Sequence, residues 1–180
     1  AIESADDPAF AAAERARGRY RFPIEIVLAT AAASCAQKCA NLGAALGRID
    51  ADDTAVMLLD ADIVPPPWWL AASIAPLQNG ICDVVTGYRW PMIERPLLGA
   101  HLVTAIDRAI GLLPRLRWAR AAWGGTLAIS GRALPALDLP RAFATTLSDD
   151  LTIGAQAARQ HLRVLWRRAL LGPTPLDHDV

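Results

Sequence analysis

An apolar segment that runs directly into two aspartates and three prolines limits the folds open to this chain. Ala55 to Leu59 is typical of a buried β-strand, Asp60 and Asp62 follow it one residue apart, and Pro65 to Pro67 stop it from continuing. Because side chains alternate along an extended segment, the two carboxylates are predicted to point the same way. Like charges this close need a cation or hydrogen-bond donors between them, and a divalent metal ion is the economical candidate.

Strand-like and helix-like segments alternate along the chain. Residues 23–30 (PIEIVLAT) predict a strand, residues 35–46 a helix and residues 55–59 a second strand, which is the order of a parallel pair with a right-handed crossover. Further strands are predicted at 83–90 and 162–168, a strand or loop at 121–130, and further helices near Pro67, over 97–113 and after Ser148. We therefore expect an α/β domain with a mostly parallel sheet flanked by helices, and ligands of such sheets bind at the carboxyl ends of the strands.

Composition narrows the class of protein further. The length fits one domain, residues 1–180, and the 18 basic and 18 acidic residues give no net charge, so nucleic acid is not an expected partner. The three cysteines lack a histidine pair in zinc spacing and are interpreted as core residues. Prolines interrupt the longest uncharged run, 63–82, so we expect this chain itself to be soluble or peripheral.

Six short motifs follow one another along nearly the whole chain. They are ADDPAF (5–10), QKCANL (37–42), LLDADIVPPPWWL (58–70), VVTGYRW (84–90), AWGGTLAIS (122–130) and LSDDLTIGAQAARQHLRV (147–164). In order and approximate spacing the chain resembles the inverting family 2 glycosyltransferases, in particular their ceramide glucosyltransferase-like branch. The resemblance implies the GT-A fold, that of nucleotide-diphospho-sugar transferases, with the Asp-x-Asp motif carrying donor and metal.

The resemblance implies a set of donor-binding residues. Asp62 would bind Mg²⁺ or Mn²⁺, and Asp60 would face the metal shell or the ribose, so that the metal stabilises the departing nucleoside diphosphate. Lys38, the only lysine in the sequence, matches a family lysine that meets the diphosphate. Either Asp6 or Asp7 matches the acidic residue near the nucleotide base.

The resemblance also implies how the acceptor reacts. Asp150 would be the general base that takes the proton from an acceptor hydroxyl, with Asp149 as a helix cap or acceptor contact. Trp123, Gly124 and Gly125 match the segment that lies against donor sugar and acceptor. The implied activity is inverting transfer from a nucleotide sugar, most simply a UDP-sugar, to a hydroxyl of a lipid or a glycan.

The chain departs from the family pattern at both ends. It starts after the apolar strand and loop that hold the nucleotide base in the family, and it lacks the Gln-x-x-Arg-Trp box, since Gln160 stands where Trp belongs in the similar run Gln156 to Arg159. It ends in polar residues where that branch has membrane-embedded helices. We therefore expect a fragment of a longer, membrane-associated protein whose domain faces the cytoplasm.

The same residues are also compatible with different roles. Asp60 and Asp62 suit solvated strand-end aspartates, Asp7 before Pro8 suits a turn, and the acidic pair after Ser148 suits a helix cap. A strand followed by DADIV is also how haloacid-dehalogenase-type phosphatases present a nucleophilic aspartate. A third alternative is a glycosyltransferase fragment without activity. The helix predicted over 97–113 suits a membrane surface as well as a core.

Overall fold

The computed structural model describes residues 1–112 and 122–176, which form a four-stranded sheet with helices around it. In chain order the elements are α1 (Pro8–Arg17), α2 (Gln37–Leu46), β1 (Ala55–Leu59), α3 (Trp69–Gln78), β2 (Val84–Ile93), α4 (Leu98–Leu112), β3 (Thr126–Ser130), α5 (Leu134–Leu137), α6 (Leu139–Phe143), α7 (Asp149–Arg159) and β4 (Val164–Leu176). The predicted α/β class is confirmed. The ends of two predictions, Leu113 of the helix and Ala121 of the strand or loop, lie outside the described residues.

The sheet is mixed, so the expectation of a mostly parallel sheet holds only in part. Its strand order is β1-β3-β2-β4, in which β3 pairs antiparallel with both β1 and β2 while β2 and β4 pair parallel. Strands β1, β2 and β4 therefore run in one direction and β3 runs against them. Because Leu59 at the end of β1 pairs with Thr126 at the start of β3, the segment after β1 lies beside the segment before β3.

The strand predicted at 23–30 is wrong. Its part of the chain makes a single parallel bridge, between Leu28 and Ile2, and Leu28 is half exposed. A strand needs a ladder of partners and a face to bury, and the N-terminal residues supply one bridge only. The predicted crossover from this segment to β1 is therefore absent from the described structure, whereas the strands predicted over 83–90 and 162–168 form β2 and β4.

Two apolar clusters cover the two faces of the sheet. Leu127 and Ile129 of β3 pack on one face with residues of α2, α6 and α7, while Ala128 between them packs on the other face against Trp69 of α3. This alternation is the period of two expected for a strand buried on both sides. All three cysteines are free, and Cys39 and Cys82 are buried within these clusters, in agreement with their interpretation as core residues.

Candidate functional site

The Asp-x-Asp motif forms a turn directly after β1. The Asp60 amide donates to the carbonyl oxygen of Gly125 at 3.1 Å, and the amide of Ile63 donates back to the Asp60 carbonyl at 3.2 Å. The strand ends at Leu59, so the alternation expected for extended residues does not govern this turn. Asp60 and Asp62 nevertheless line the same two hollows, as the sequence predicts for a shared site.

Lys38 joins this turn to the beginning of α7. Its ammonium nitrogen lies 2.8 Å from Oδ1 of Asp60 and 3.1 Å from Oδ2 of Asp149. Burial lowers the pKa of Lys38, but its hydrogen bonds to Asp60 and Asp149 and their negative charges outweigh that effect, so its pKa is raised and it stays protonated. A cation in the first turn of a helix opposes the helix dipole, and the two carboxylates compensate for this. We call Lys38, Asp60 and Asp149 the lysine cluster.

Two glycines before β3 bring the backbone close to the cluster. A Cβ atom at Gly124 would lie 2.4 Å from Oδ2 of Asp149, and a Cβ atom at Gly125 would lie 2.3 Å from the Trp123 ring. Neither position tolerates a side chain without a shift in its neighbour. The glycines expected to approach a ligand thus approach this chain's own carboxylate and indole ring.

The start of α7 gives the two adjacent aspartates different surroundings. Ser148 is the N-cap, since its Oγ accepts from the amide of Leu151 at 3.4 Å. Asp150 accepts at Oδ1 from the Ser148 hydroxyl and, at 2.7 Å, from the Leu151 amide. Asp149 is buried and turns to Lys38, so it is a member of the cluster and not the cap that the sequence suggested. The role of Asp150 as a base stays a prediction.

Asp6 and Asp7 lie at the start of α1, a helix that the sequence analysis did not predict. Asp7 is its N-cap, accepting from the amide of Ala9 at 2.8 Å, and Pro8 occupies its first turn. The amide of Asp6 donates to Ser4 Oγ at 3.1 Å. Among the described contacts, neither carboxylate reaches the lysine cluster, and both side chains are exposed.

Two hollows flank the Asp-x-Asp turn. The larger one, the tryptophan cleft, has a volume of about 770 Å³ and is lined mainly by aromatic, aliphatic and proline side chains, among them Val64, Trp68, Tyr88, Trp123, Leu171 and Pro173. The smaller one, the α2 hollow, has a volume of about 530 Å³ and is lined by Lys38, Asn41 and the turn itself. Asp60 and Asp62 line both, so a mainly apolar hollow and a hollow that contains Lys38 lie on either side of the two carboxylates.

A buried acid on α4, which sequence reasoning missed, holds one wall of the tryptophan cleft. Asp107 is only 4% exposed, and its Oδ1 accepts from the Tyr88 hydroxyl at 3.1 Å and from Nη2 of Arg89 at 2.8 Å. Burial, together with the charge and hydrogen bond of Asp107, raises the pKa of Tyr88 to about 12. The Tyr88 ring contacts the Trp123 ring at a centroid distance of 5.5 Å. The signal in the sequence was one acid on an otherwise apolar helix face.

Asp60 and Asp62 are carboxylates of the kind that hold a hard divalent cation, and both line the same two hollows. Within residues 1–112 and 122–176, no group of three or more His, Cys, Asp or Glu side chains is arranged to hold a metal. Mg²⁺ is commonly held by one or two protein carboxylates plus substrate phosphates and water, because it dehydrates reluctantly. Asp60 and Asp62 can supply those two carboxylates, and the remaining ligands would come from the substrate.

Comparisons with known proteins do not assign a family. No protein-family model matches the chain, and no curated protein gives a significant match. No helix in the described part of the chain is long and apolar enough to cross a membrane. The fold and the site together define an α/β domain that has a carboxylate–lysine cluster at the point where β1 ends and its antiparallel neighbour β3 begins.

Proposed function

We propose that this chain is the catalytic domain of a metal-dependent inverting glycosyltransferase of the GT-A type, which transfers a sugar from a UDP-sugar to a hydroxyl acceptor. The observation that carries the proposal is the meeting of Lys38, Asp60 and Asp149 in one cluster. Each comes from a different motif of the resemblance, and 111 residues separate the first from the last. In the proposed site Asp60 helps to hold the metal, Lys38 meets the diphosphate and Asp149 positions the lysine, so these three residues have to lie together.

The donor half of the reaction is proposed for the α2 hollow and the turn. Asp60 and Asp62 would hold Mg²⁺ or Mn²⁺, which supplies Lewis-acid stabilisation of the departing diphosphate when bound. Lys38 lines the same hollow and carries a second positive charge that the leaving phosphate oxygens can approach. Asp149, buried behind Lys38 and pressed against Gly124, positions that lysine.

The acceptor half is proposed for the tryptophan cleft. Its aromatic and proline walls suit the apolar body of a lipid or the faces of sugar rings, both of which pack on indole. Asp150, which lies beside Asp149 at the start of α7 and outside the residues that line the two hollows, is the proposed base; it takes the acceptor proton as the oxygen attacks the anomeric carbon opposite the diphosphate and inverts its configuration. The described hydrogen bonds to Asp150 use Oδ1, which leaves Oδ2 for that proton.

We further propose that this domain lies on the surface of a membrane, at its cytoplasmic face. Leu98, Leu102, Ile106 and Ile110 form an exposed apolar row at four-residue spacing along α4, which suits a helix lying on a lipid surface. Flotation with lipid vesicles tests this. Leu102→Gln with Ile106→Gln should reduce the bound fraction, whereas Leu151→Gln, which changes an exposed leucine of α7, should not. Equal flotation of both variants contradicts the proposal.

Calorimetric titration of UDP into the protein tests the donor site. We expect binding with Mn²⁺ present, little without it, and loss of the metal-dependent binding in Asp62→Ala. Asp52→Ala, which removes an exposed carboxylate from the turn before β1, is the matched control and should bind as the unchanged protein does. A folded protein that binds no UDP under any condition contradicts the proposal, and phosphatase activity toward a simple phosphomonoester would then favour the haloacid-dehalogenase alternative.

Release of free sugar from a panel of UDP-sugars tests turnover, since glycosyltransferases transfer slowly to water when no acceptor is present. Metal-dependent UDP binding without any such hydrolysis, and without transfer to lipid or glycan acceptors, would support the inactive-fragment alternative. The two assays together therefore separate donor binding from catalysis.

A further inference from the structure

The lysine cluster concentrates like charge around one cation. Asp60 and Asp62 lie in one turn and Asp149 faces the same lysine, while among the described ion pairs Asp60 and Asp149 pair with Lys38 and with no other cation. Carboxylates this close repel each other unless a cation lies between them. Lys38 therefore screens these carboxylates from one another, as a divalent ion bound to the same oxygens would.

A metal ion bound by Asp60 would share that carboxylate with Lys38. Oδ1 of Asp60, the atom 2.8 Å from the Lys38 ammonium, belongs to a carboxylate proposed to face the metal. A divalent cation placed at Asp60 would lie close to the ammonium, and the two positive charges would repel each other. Metal binding alone is thus opposed by the lysine, and a diphosphate removes that opposition by giving the ammonium a new partner.

The two carboxylates that hold Lys38 differ in how easily they can be released. The Asp149 side chain is 9% exposed and is pressed against Gly124, whereas the Asp60 side chain is 34% exposed and lies at the edge of a hollow. Leaving a buried carboxylate without its cation costs far more than leaving a partly hydrated one. Lys38 should accordingly keep Asp149 and release Asp60.

We infer that Lys38 is an exchangeable counter-ion, which pairs with Asp60 and pivots about Asp149 onto the diphosphate when metal and nucleotide bind. This inference rests on the proposed function, and it adds that metal and nucleotide bind cooperatively because each relieves a penalty imposed on the other. Such coupling is reciprocal, so the metal strengthens nucleotide binding by the factor by which the nucleotide strengthens metal binding.

Two titrations of Lys38→Met test the exchange. Mn²⁺ alone, followed by the electron paramagnetic resonance signal of the free ion, should bind the variant about 5-fold or more tightly than the unchanged protein, a factor within the usual range of coupling between sites. UDP at saturating Mn²⁺ should bind the variant about 10-fold more weakly. A gain in Mn²⁺ affinity together with a loss of UDP affinity identifies the exchange, because loss of a purely structural residue would weaken the binding of both.

Controls separate the exchange from simple charge loss and from misfolding. Arg48→Met removes a positive charge beyond the other end of α2, where Arg48 pairs with Glu25, and should change neither titration more than 2-fold. Because Lys38→Met leaves Asp149 unpaired, Lys38→Met with Asp149→Asn is compared with Asp149→Asn alone. The double variant should again bind Mn²⁺ more tightly, and circular dichroism checks that each variant is folded.

The outcomes distinguish the exchange from the proposed function. If UDP binds no variant but Lys38→Met still gains Mn²⁺ affinity, the donor proposal fails and the competition at Asp60 stands. If UDP binds the unchanged protein and Lys38→Met weakens Mn²⁺ binding or leaves it unchanged, the exchange is wrong and the donor site stands. Absence of Mn²⁺ binding to Lys38→Met and to the double variant also overturns the exchange.

Discussion

Gly124 and Asp149 are in contact across the gap between β3 and α7: a Cβ atom at position 124 would lie 2.4 Å from Oδ2 of Asp149. The carboxylate is buried and bound to Lys38, so it cannot move aside without leaving its cation. The glycine and the lysine therefore fix this carboxylate from two sides, and both are required to hold the cluster together.

Gly124→Ala is expected to destabilise the domain. The added methyl group must displace the Asp149 carboxylate, and overpacking of this kind typically costs about 1–3 kcal/mol. Urea denaturation measures the effect. Gly43→Ala in α2 is the matched control, because its Cβ would meet nothing within 4 Å and alanine in a helix is favoured by about 0.5–1 kcal/mol over glycine. Equal midpoints for the two variants would contradict the close contact.

Asp150→Asn is expected to separate binding from turnover. If Asp150 is the base, its amide keeps the shape of the helix start but cannot take a proton, so transfer should fall about 10²- to 10⁴-fold. Metal-dependent UDP binding should stay within about 2-fold, because Asp150 lies outside the lysine cluster. Asp149→Asn is the comparison and should weaken UDP binding through Lys38. Full transfer activity of Asp150→Asn would show that Asp150 is not the base and that another group takes the acceptor proton.

Local sequence patterns were sufficient to predict those elements whose own residues favour a strand or begin a helix. Apolar runs predicted β1 and β2, and Ser148 before two acids predicted the start of α7. The segment 23–30 has the same apolar pattern but no strand beside it, because pairing is a property of the fold and not of the segment.

The sequence identified most of the candidate site residues, but it predicted only part of the contacts that these residues make with one another. The resemblance implied donor binding for Lys38 and Asp60 and a helix cap or acceptor contact for Asp149, but the ion pairs among the three depend on the order of strands in the sheet. Which of two adjacent aspartates turns inward depends on the Ser148 cap, since neighbouring helical residues point about 100° apart. Asp107 was missed because its partners lie on another element, 18 and 19 residues away.

Asp107 and Tyr88 are expected to be energetically coupled. The Tyr88 hydroxyl donates to the buried Asp107 carboxylate, so a cycle of Asp107→Ala, Tyr88→Phe and the double variant should give a coupling energy of about 1.5–3 kcal/mol, the range for a hydrogen bond to a charged group. Urea denaturation supplies the three differences. Asp107→Ala alone should cost more than Tyr88→Phe, since it also strips Arg89 of its partner. Additive effects of the two single variants would mean that the hydrogen bond contributes no stability.

Asp83 is expected to make stability depend on pH in the acid range. Its carboxylate receives hydrogen bonds from Arg163 and pairs with Arg132. Hydrogen bonding from the Arg163 side chain is the main cause that lowers the pKa of Asp83 below its ordinary value of 3.8, and burial opposes it. Because the folded state has the lower pKa, this stabilisation is complete above pH 3.8 and is lost as the pH falls through the folded value.

Asp83→Asn removes that dependence without changing the shape of the side chain. Denaturation midpoints of the two proteins should differ most near neutral pH, with the unchanged protein the more stable, and should converge as the pH falls below 3.8. Asp52→Asn, an exposed aspartate in the turn before β1, is the control and should follow the unchanged protein at every pH. A gap between Asp83→Asn and the unchanged protein that stays constant into strong acid would show that Asp83 acts through its hydrogen bonds alone and not through its charge.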